Sequence, residues 1–186
     1  MTAKRSVALT VGLLLLSVGS RLAGSAQTAI PDEFQVRAAI IANLARFVSW
    51  APPKGNVHTP MIVGLLGSDQ QSAALEAYLS SHTIDGRAFQ VRKLERSDRT
   101  DDCQIVYVSP SEKQHFEEIA DSRSWNGVLT ISDDRTFALT GGIVGLPVVG
   151  DRIEIQINLF RAQQNGLLIS SRLLGLARVI RKADTR

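Results

Sequence analysis

Residues 61–81 read MIVGLLGSDQQSAALEAYLSS, and this stretch decides the fold class. Its first part, Met61 to Leu66, is an apolar run that is typical of a buried strand. Gly67-Ser68-Asp69 then predicts a turn, and from Gln70 to Ser81 the apolar residues recur at helical spacing. A buried strand that leads directly into a capped helix is the unit from which α/β domains are built.

The same alternation of strand and helix continues along the chain. A strand is predicted over 88–94, and a polar loop over 95–102 separates it from the β-branched strand 105–108. Further elements are predicted as a helix over 110–121, a strand over 128–131, a bent strand or hairpin over 137–146 and an alternating strand over 152–157. The chain is therefore expected to be one α/β domain, with a mixed sheet of five or six strands and helices on both faces.

Helices are expected at both ends of this domain. Phe34 to Trp50 is apolar around most of its circumference, so we predict a largely buried helix with Asp32 as its N-cap. Pro52-Pro53 would end it. Two further helices are predicted to close the chain, one that Asn158 caps and Asn165-Gly166 ends, and one over 170–181.

The first 26 residues have the three-part layout of a secretory signal peptide. Lys4 and Arg5 precede a mostly apolar run over 7–18, and Gly24-Ser25-Ala26 supplies the small residues of a cleavage site. As a helix the run would span roughly 18 Å, well short of the roughly 30 Å hydrocarbon core of a bilayer. We therefore predict cleavage near Ala26 and one domain, 27–186, that works outside the cytoplasm without spanning the membrane.

Removal of the signal changes the charge balance. The whole chain has 21 Lys and Arg against 18 Asp and Glu, but Lys4, Arg5 and Arg21 all precede Gln27, so the mature chain has 21 − 3 = 18 of each. A net charge of zero and 5% aromatic residues argue against a nucleic-acid partner. The C-terminal basic residues are compatible with a helix dipole or with an acidic surface; they are Arg178, Arg181, Lys182 and Arg186.

No set of residues predicts catalysis, a metal or a cofactor. His58, His82 and His115 have no second ligand at metal-binding spacing, and no nucleophile can be paired with a base. Cys103 is the single cysteine, so it cannot form an intrachain disulfide. Asp101-Asp102 beside it disfavours a reactive thiolate. We expect Cys103 to be a small core residue, with a thiol that pairs between chains as the alternative.

One turn keeps a second class of function open. Gly67-Ser68-Asp69 follows a strand and opens a helix, although it lacks the spacing of a dinucleotide fingerprint and the lysine of a phosphate loop. Ser132-Asp133 ends another strand. Because such strand ends in α/β sheets hold small solutes, Ser68 and Asp69 are candidate contacts of a solute-binding module.

Four segments in succession resemble the YfiR/HmsC-like family of periplasmic proteins. They are the helix 36–50, the strand 103–109, the segment 129–133 and an ending made of 155–159 with 166–177. The resemblance implies a periplasmic repressor that binds the periplasmic sensor domain of a membrane-bound diguanylate cyclase, and so lowers cyclic di-GMP and biofilm formation. Better-known members carry paired cysteines, and the family tends to have Glu where this chain has Gln156.

A regulator of this kind needs an interaction surface rather than an enclosed pocket, with a few large side chains as anchors. Candidate partner-binding residues are Phe34 and Trp50 at the ends of the first helix, Trp125 in a loop, and Gln156. Each of the aromatic candidates is also a natural core residue. The sequence leaves a homodimer open as well.

Overall fold

The computed structural model describes residues 32–50 and 59–181, which belong to one compact unit. The predicted signal peptide, the Pro52-Pro53 helix stop, His58 and the basic tail residues Lys182 and Arg186 lie outside the described residues. None of the described helices is long and apolar enough to cross a membrane.

Five helices alternate with twelve strands in the described part of the chain. The helices are α1 (Glu33–Leu44), α2 (Gln70–Ser81), α3 (Lys113–Ile119), α4 (Leu159–Gln164) and α5 (Ser171–Leu174). The strands are β1 (Val48–Trp50), β2 (Met61–Leu66), β3 (Thr83–Ile84), β4 (Arg87–Leu94), β5 (Ile105–Val108), β6 (Leu129–Ser132), β7 (Val144–Gly145), β8 (Val148–Val149), β9 (Arg152–Ile153), β10 (Gln156–Asn158), β11 (Leu167–Ile169) and β12 (Arg178–Ile180).

The main sheet is mixed and has eight strands in the order β12-β10-β7-β6-β5-β2-β4-β3. Its centre is parallel, because β2 pairs in parallel with both β4 and β5, and β5 pairs in parallel with β6. The predicted α/β class and mixed sheet are confirmed. The sheet is wider than the predicted five or six strands because β3, β7, β10 and β12 have only two or three residues each, too few for a period to be read from the sequence.

Helices cover both faces of the sheet, as predicted. On β5, Ile105 and Tyr107 join the apolar cluster that contains Ile41 of α1 and Leu75 of α2. Val106 and Val108 point the other way and join the cluster that contains Phe116 of α3. Because successive residues of a strand face opposite sides, β5 is buried on both, and all four of its side chains are fully buried.

Three predicted elements are shorter than the sequence pattern indicates. The predicted first helix stops at Leu44, and Val48–Trp50 instead pairs with β11 as an antiparallel strand. The predicted last helix is only α5, which Gly175 ends, and Arg178–Ile180 then joins the edge of the main sheet beside β10. The predicted strand over 137–146 is mostly turn, with β7 as its strand part. In the first two cases strand pairing outweighs helix periodicity, because β-branched and aromatic side chains fit a pleated surface well.

Candidate functional site

The centre of the main sheet contains a topological switch point. After β2 the chain passes to α2 on one face, whereas after β5 it passes to α3 on the opposite face. The connections leave in opposite directions and open a crevice at the carboxyl ends of these strands, which is where ligands bind in open α/β sheets. Glycine at position 67 allows the chain to turn at the end of β2 and to pass close to the segment after β5. Its φ is +93°, and a Cβ there would lie 2.6 Å from Cβ of Ser109.

Asp69 joins the two sides of this switch point. Its Oδ1 accepts a hydrogen bond from the backbone N–H of Ser72 at 2.7 Å and so caps α2. Its Oδ2 accepts another from Oγ of the buried Ser109, also at 2.7 Å. The carboxylate therefore fixes the start of α2 to the chain that follows β5.

Tyr107 lies at the centre of the same group of side chains. Its hydroxyl donates to Oδ1 of Asp133 at 2.7 Å and lies 3.4 Å from Oδ2 of Asp69. A phenol has one proton, so the shorter distance assigns it to Asp133. Burial and then the nearby Asp133 carboxylate raise the pKa of Tyr107 far above its usual value. The hydroxyl therefore stays protonated and remains a donor between two acids.

Arg37 of α1 is the buried cation of this group, with a side chain only 3% exposed. Its Nη1 donates to Oε1 of Gln71 at 2.8 Å and lies 3.4 Å from Oδ2 of Asp133, while Nη2 pairs with Glu33. Gln71 in turn donates to the backbone carbonyl of Phe34 at 3.1 Å. The first turns of α1 and α2 are thus held together by hydrogen bonds. We call this set the polar network: Glu33, Arg37, Asp69, Gln71, Tyr107, Ser109 and Asp133.

An open cleft of about 630 Å³ lies beside the switch point, and we call it the switch-point cleft. The residues that line it include Gly67, Ser68, Asp69, Arg96 and Glu112. Two ion pairs lie along it: Nε of Arg96 with Glu112 at 2.8 Å, and Lys93 with Glu76 at 3.2 Å. Its volume lies within the usual range for small-molecule sites. No group of three His, Cys, Asp or Glu side chains among the described residues could hold a metal ion.

A second cavity, of about 520 Å³, lies between the first half of α1 and the hairpin β8–β9; we call it the α1 groove. Val36, Ile40, Val148 and Ile153 give it an apolar lining, and Glu33 and Asp151 border it. Val36 is 40% exposed, and Val149 on the same hairpin is 43% exposed.

The predicted partner-binding residues occupy different environments. Phe34 and Trp50 are half-buried, and Trp50 packs against the cluster on the α1 face. Trp125 is buried against Phe116, with ring centroids 5.2 Å apart. Gln156 is buried in β10, where its Nε2 donates to Glu154. Of these four, Phe34 and Trp50 are therefore the ones with side-chain surface for a partner.

The other predicted site residues lie at the switch-point cleft and in the core. Ser68 is exposed and Asp69 half-buried at the cleft. Cys103 is fully buried, and its Sγ lies 3.8 Å from Nη2 of Arg92. Burial against this guanidinium makes Cys103 a packed residue of the cluster on the α3 face.

Arg37, Tyr107 and Ser109 do not stand out from the sequence alone. One signal could have identified Arg37, because it shares the helix face of Ala38, Ile41 and Leu44, which are all buried. A charge on the buried face of a helix requires a buried partner. Tyr107 lies within a strand of β-branched residues and fits its apolar pattern. Its partners, Asp69 and Asp133, follow the ends of two other strands, so the sequence does not show that they are close to it.

Comparison with known proteins places the chain in a family. The family model described as YfiR/HmsC-like matches residues 34–178 of the 186-residue chain. No curated protein was found to match it. Proteins of this family are periplasmic signalling regulators rather than enzymes. Since the match begins in the first turn of α1 and runs into β12, the chain belongs to the YfiR/HmsC-like family.

Proposed function

We propose that this protein binds the periplasmic sensor domain of an inner-membrane diguanylate cyclase and represses it, which lowers cyclic di-GMP and biofilm formation. The observation that carries the proposal is the family match over residues 34–178. The predicted signal peptide in residues 1–26 would deliver the domain to the compartment in which such a sensor domain lies.

The first two turns of α1 are the surface that we assign to the cyclase. Phe34 is half-buried there, and Val36 is exposed beside the α1 groove. Large apolar side chains that are partly exposed beside a concavity are typical anchors of protein interfaces. Trp50 is the second anchor, whereas the buried Trp125 and Gln156 would act only by supporting neighbouring surface.

Two measurements test this function. The purified protein should bind the isolated sensor domain of a cyclase encoded in the same genome, and deletion of the gene should raise cyclic di-GMP and biofilm. Val36→Asp should weaken both binding and repression, because it places a charge in an apolar contact. Leu139→Asp is the matched control, since Leu139 is 37% exposed and lies in the turn that carries Phe137 of the cluster on the α3 face, away from α1.

The outcomes separate the function from the surface. Unchanged cyclic di-GMP in the deletion strain would overturn the function. A loss of binding with Leu139→Asp alone would keep the function and move the interface to the α3 face of the domain.

A second function has support from the switch-point cleft. Its volume of about 630 Å³ and its place outside the strand ends suit a small solute. The Asp69 carboxylate already accepts internal hydrogen bonds from Ser72 and Ser109, so a solute would meet the hydroxyl of Ser68 first.

A bound solute must raise the unfolding temperature as its concentration exceeds its dissociation constant. Thermal shift against a panel of metabolites would detect such a solute, and Ser68→Trp should abolish the shift by filling the cleft. Ser80→Trp, at an exposed position of α2, should preserve it. No shift with any metabolite would remove this second function.

A further inference from the structure

Side-chain contacts of 3.4 Å or less in the polar network join one cavity to the other. Asp69 lines the switch-point cleft, and Glu33 lines the α1 groove. Between them the contacts pass from Asp69 to Tyr107, then to Asp133, then to Arg37 and finally to Glu33. A second branch passes from Arg37 through Gln71 to the backbone of Phe34.

Each cavity has a wall that depends on this network. The start of α2 borders the cleft and is capped by Asp69, which Ser109 holds from the other side of the switch point. The first turn of α1 borders the groove, and Arg37 in its second turn contacts Glu33, Gln71 and Asp133. The two walls therefore share one set of buried contacts.

We propose that the polar network is a conformational link, through which a change at the switch-point cleft alters the position and stability of the first turns of α1 and of the groove beside them. The proposal rests on the proposed function in one respect only, which is that the partner binds at α1. The conformational link itself needs neither the partner nor a ligand.

The arrangement of donors and acceptors gives the link its physical basis. Tyr107 offers one proton to two carboxylates, at 2.7 and 3.4 Å, so a rearrangement of Asp69 changes how firmly Tyr107 holds Asp133. Asp133 is a partner of a guanidinium whose Nε, buried like the rest of the side chain, has no hydrogen-bond acceptor among the described residues. Charged groups in a poorly solvated site interact strongly, so Arg37 must respond when Asp133 moves.

Hydrogen exchange on the purified protein tests the link without any ligand or partner. Tyr107→Phe keeps the buried ring and removes the central hydroxyl. We expect amide exchange in residues 33–44 to accelerate roughly fivefold to tenfold, the change that the loss of one hydrogen bond of ordinary net strength corresponds to. Exchange in residues 83–94, which form β3 and β4 outside the network, should stay unchanged.

Tyr78→Phe is the matched control. Tyr78 lies half-buried on α2 and stacks on His82, and no hydrogen bond of its hydroxyl is seen among the described residues. This variant should leave exchange in 33–44 unchanged. Faster exchange spread evenly over 33–44 and 83–94 in Tyr107→Phe, or no change in 33–44, would overturn the proposal.

The cleft end of the network gives a second test. Ser109→Ala removes the hydrogen bond to Asp69. The side-chain partners of Ser109 are Asp69 and Ser111, which both lie outside α1, yet the variant should also accelerate exchange in residues 33–44. Ser80→Ala, which loses only a local hydrogen bond to the carbonyl of Glu76, should not. If Ser109→Ala accelerates exchange only around residues 69–72, a change at the cleft does not reach α1 and the link is refuted.

Binding to the cyclase sensor domain separates this inference from the proposed function. If the unmodified protein does not bind the domain, the proposed function fails while the exchange results still decide the link. If the protein binds and Tyr107→Phe changes exchange but not affinity, the conformational link is supported and the assignment of α1 as the surface that the partner binds is overturned.

Discussion

Gly67 shows how strongly one residue can be constrained by its neighbours. It carries the chain out of β2 with a φ of +93°, a region that residues with a Cβ adopt only at a cost. The space beside it is also filled, because a Cβ would lie 2.6 Å from Cβ of Ser109 and 2.9 Å from Cγ of Glu112. Both the dihedral angle and the close packing of the switch point require glycine here.

Gly67→Ala should therefore lose stability for two reasons. The positive φ costs about 1–3 kcal/mol, and the forced displacement of Ser109 and Glu112 adds about 1–3 kcal/mol. Gly86→Ala is the control, because Gly86 has a φ of +79° and nothing within 4 Å of its added Cβ. Urea denaturation measures both free energies of unfolding. Equal losses in the two variants would show that the close contact at Gly67 is relieved at no cost.

At the scale of elements, helix starts in this protein are set by side-chain caps. Asp32, Asp69, Asn158 and Ser170 each accept a hydrogen bond from a backbone N–H in the first turn of the helix that follows. The cap of α1 is exposed and local, whereas the cap of α2 is tied to the switch point through Ser109. The aspartate cap of α2 is therefore expected to contribute more to the free energy of unfolding than the aspartate cap of α1.

Substitution of the two aspartates should reveal this difference. Asp32→Ala should cost about 1 kcal/mol, the usual value of an exposed N-cap. Asp69→Ala should cost a further ~1.5–3 kcal/mol, because it also removes the charged acceptor of the buried Ser109 hydroxyl. Equilibrium denaturation of both variants provides the comparison. If Asp69→Ala costs no more than Asp32→Ala, the bond across the switch point is energetically neutral.

For the whole molecule, the two apolar clusters share the central sheet. β5 supplies Ile105 and Tyr107 to one cluster and Val106 and Val108 to the other. Neither cluster can lose its strands without exposing the other, so the described domain should unfold as one cooperative unit.

The two tryptophans allow this cooperativity to be measured. Trp50 packs against the cluster on the α1 face, and Trp125 belongs to the cluster on the α3 face. In Trp125→Phe and Trp50→Phe, the remaining tryptophan reports one face only. In each variant the fluorescence midpoint in urea should coincide with the midpoint from far-UV circular dichroism. A fluorescence transition that precedes the dichroism transition in either variant would mean that one face unfolds separately.

The sequence by itself determined the α/β class, the central strands and α2, because strands β2 and β5 and that helix have clear apolar periods and turn signals. It also located Asp69 and Asp133 at strand ends, although their proximity could not be read from it. Tertiary structure alone decided that Val48–Trp50 and Arg178–Ile180 are strands, since their pairing partners, β11 and β10, are distant in sequence or too short to recognise. It also decided that Arg37, Tyr107 and Asp69 form one network. These residues come from α1, β5 and the turn after β2, and hydrogen bonding among them depends on distances that only the packed sheet and helices fix.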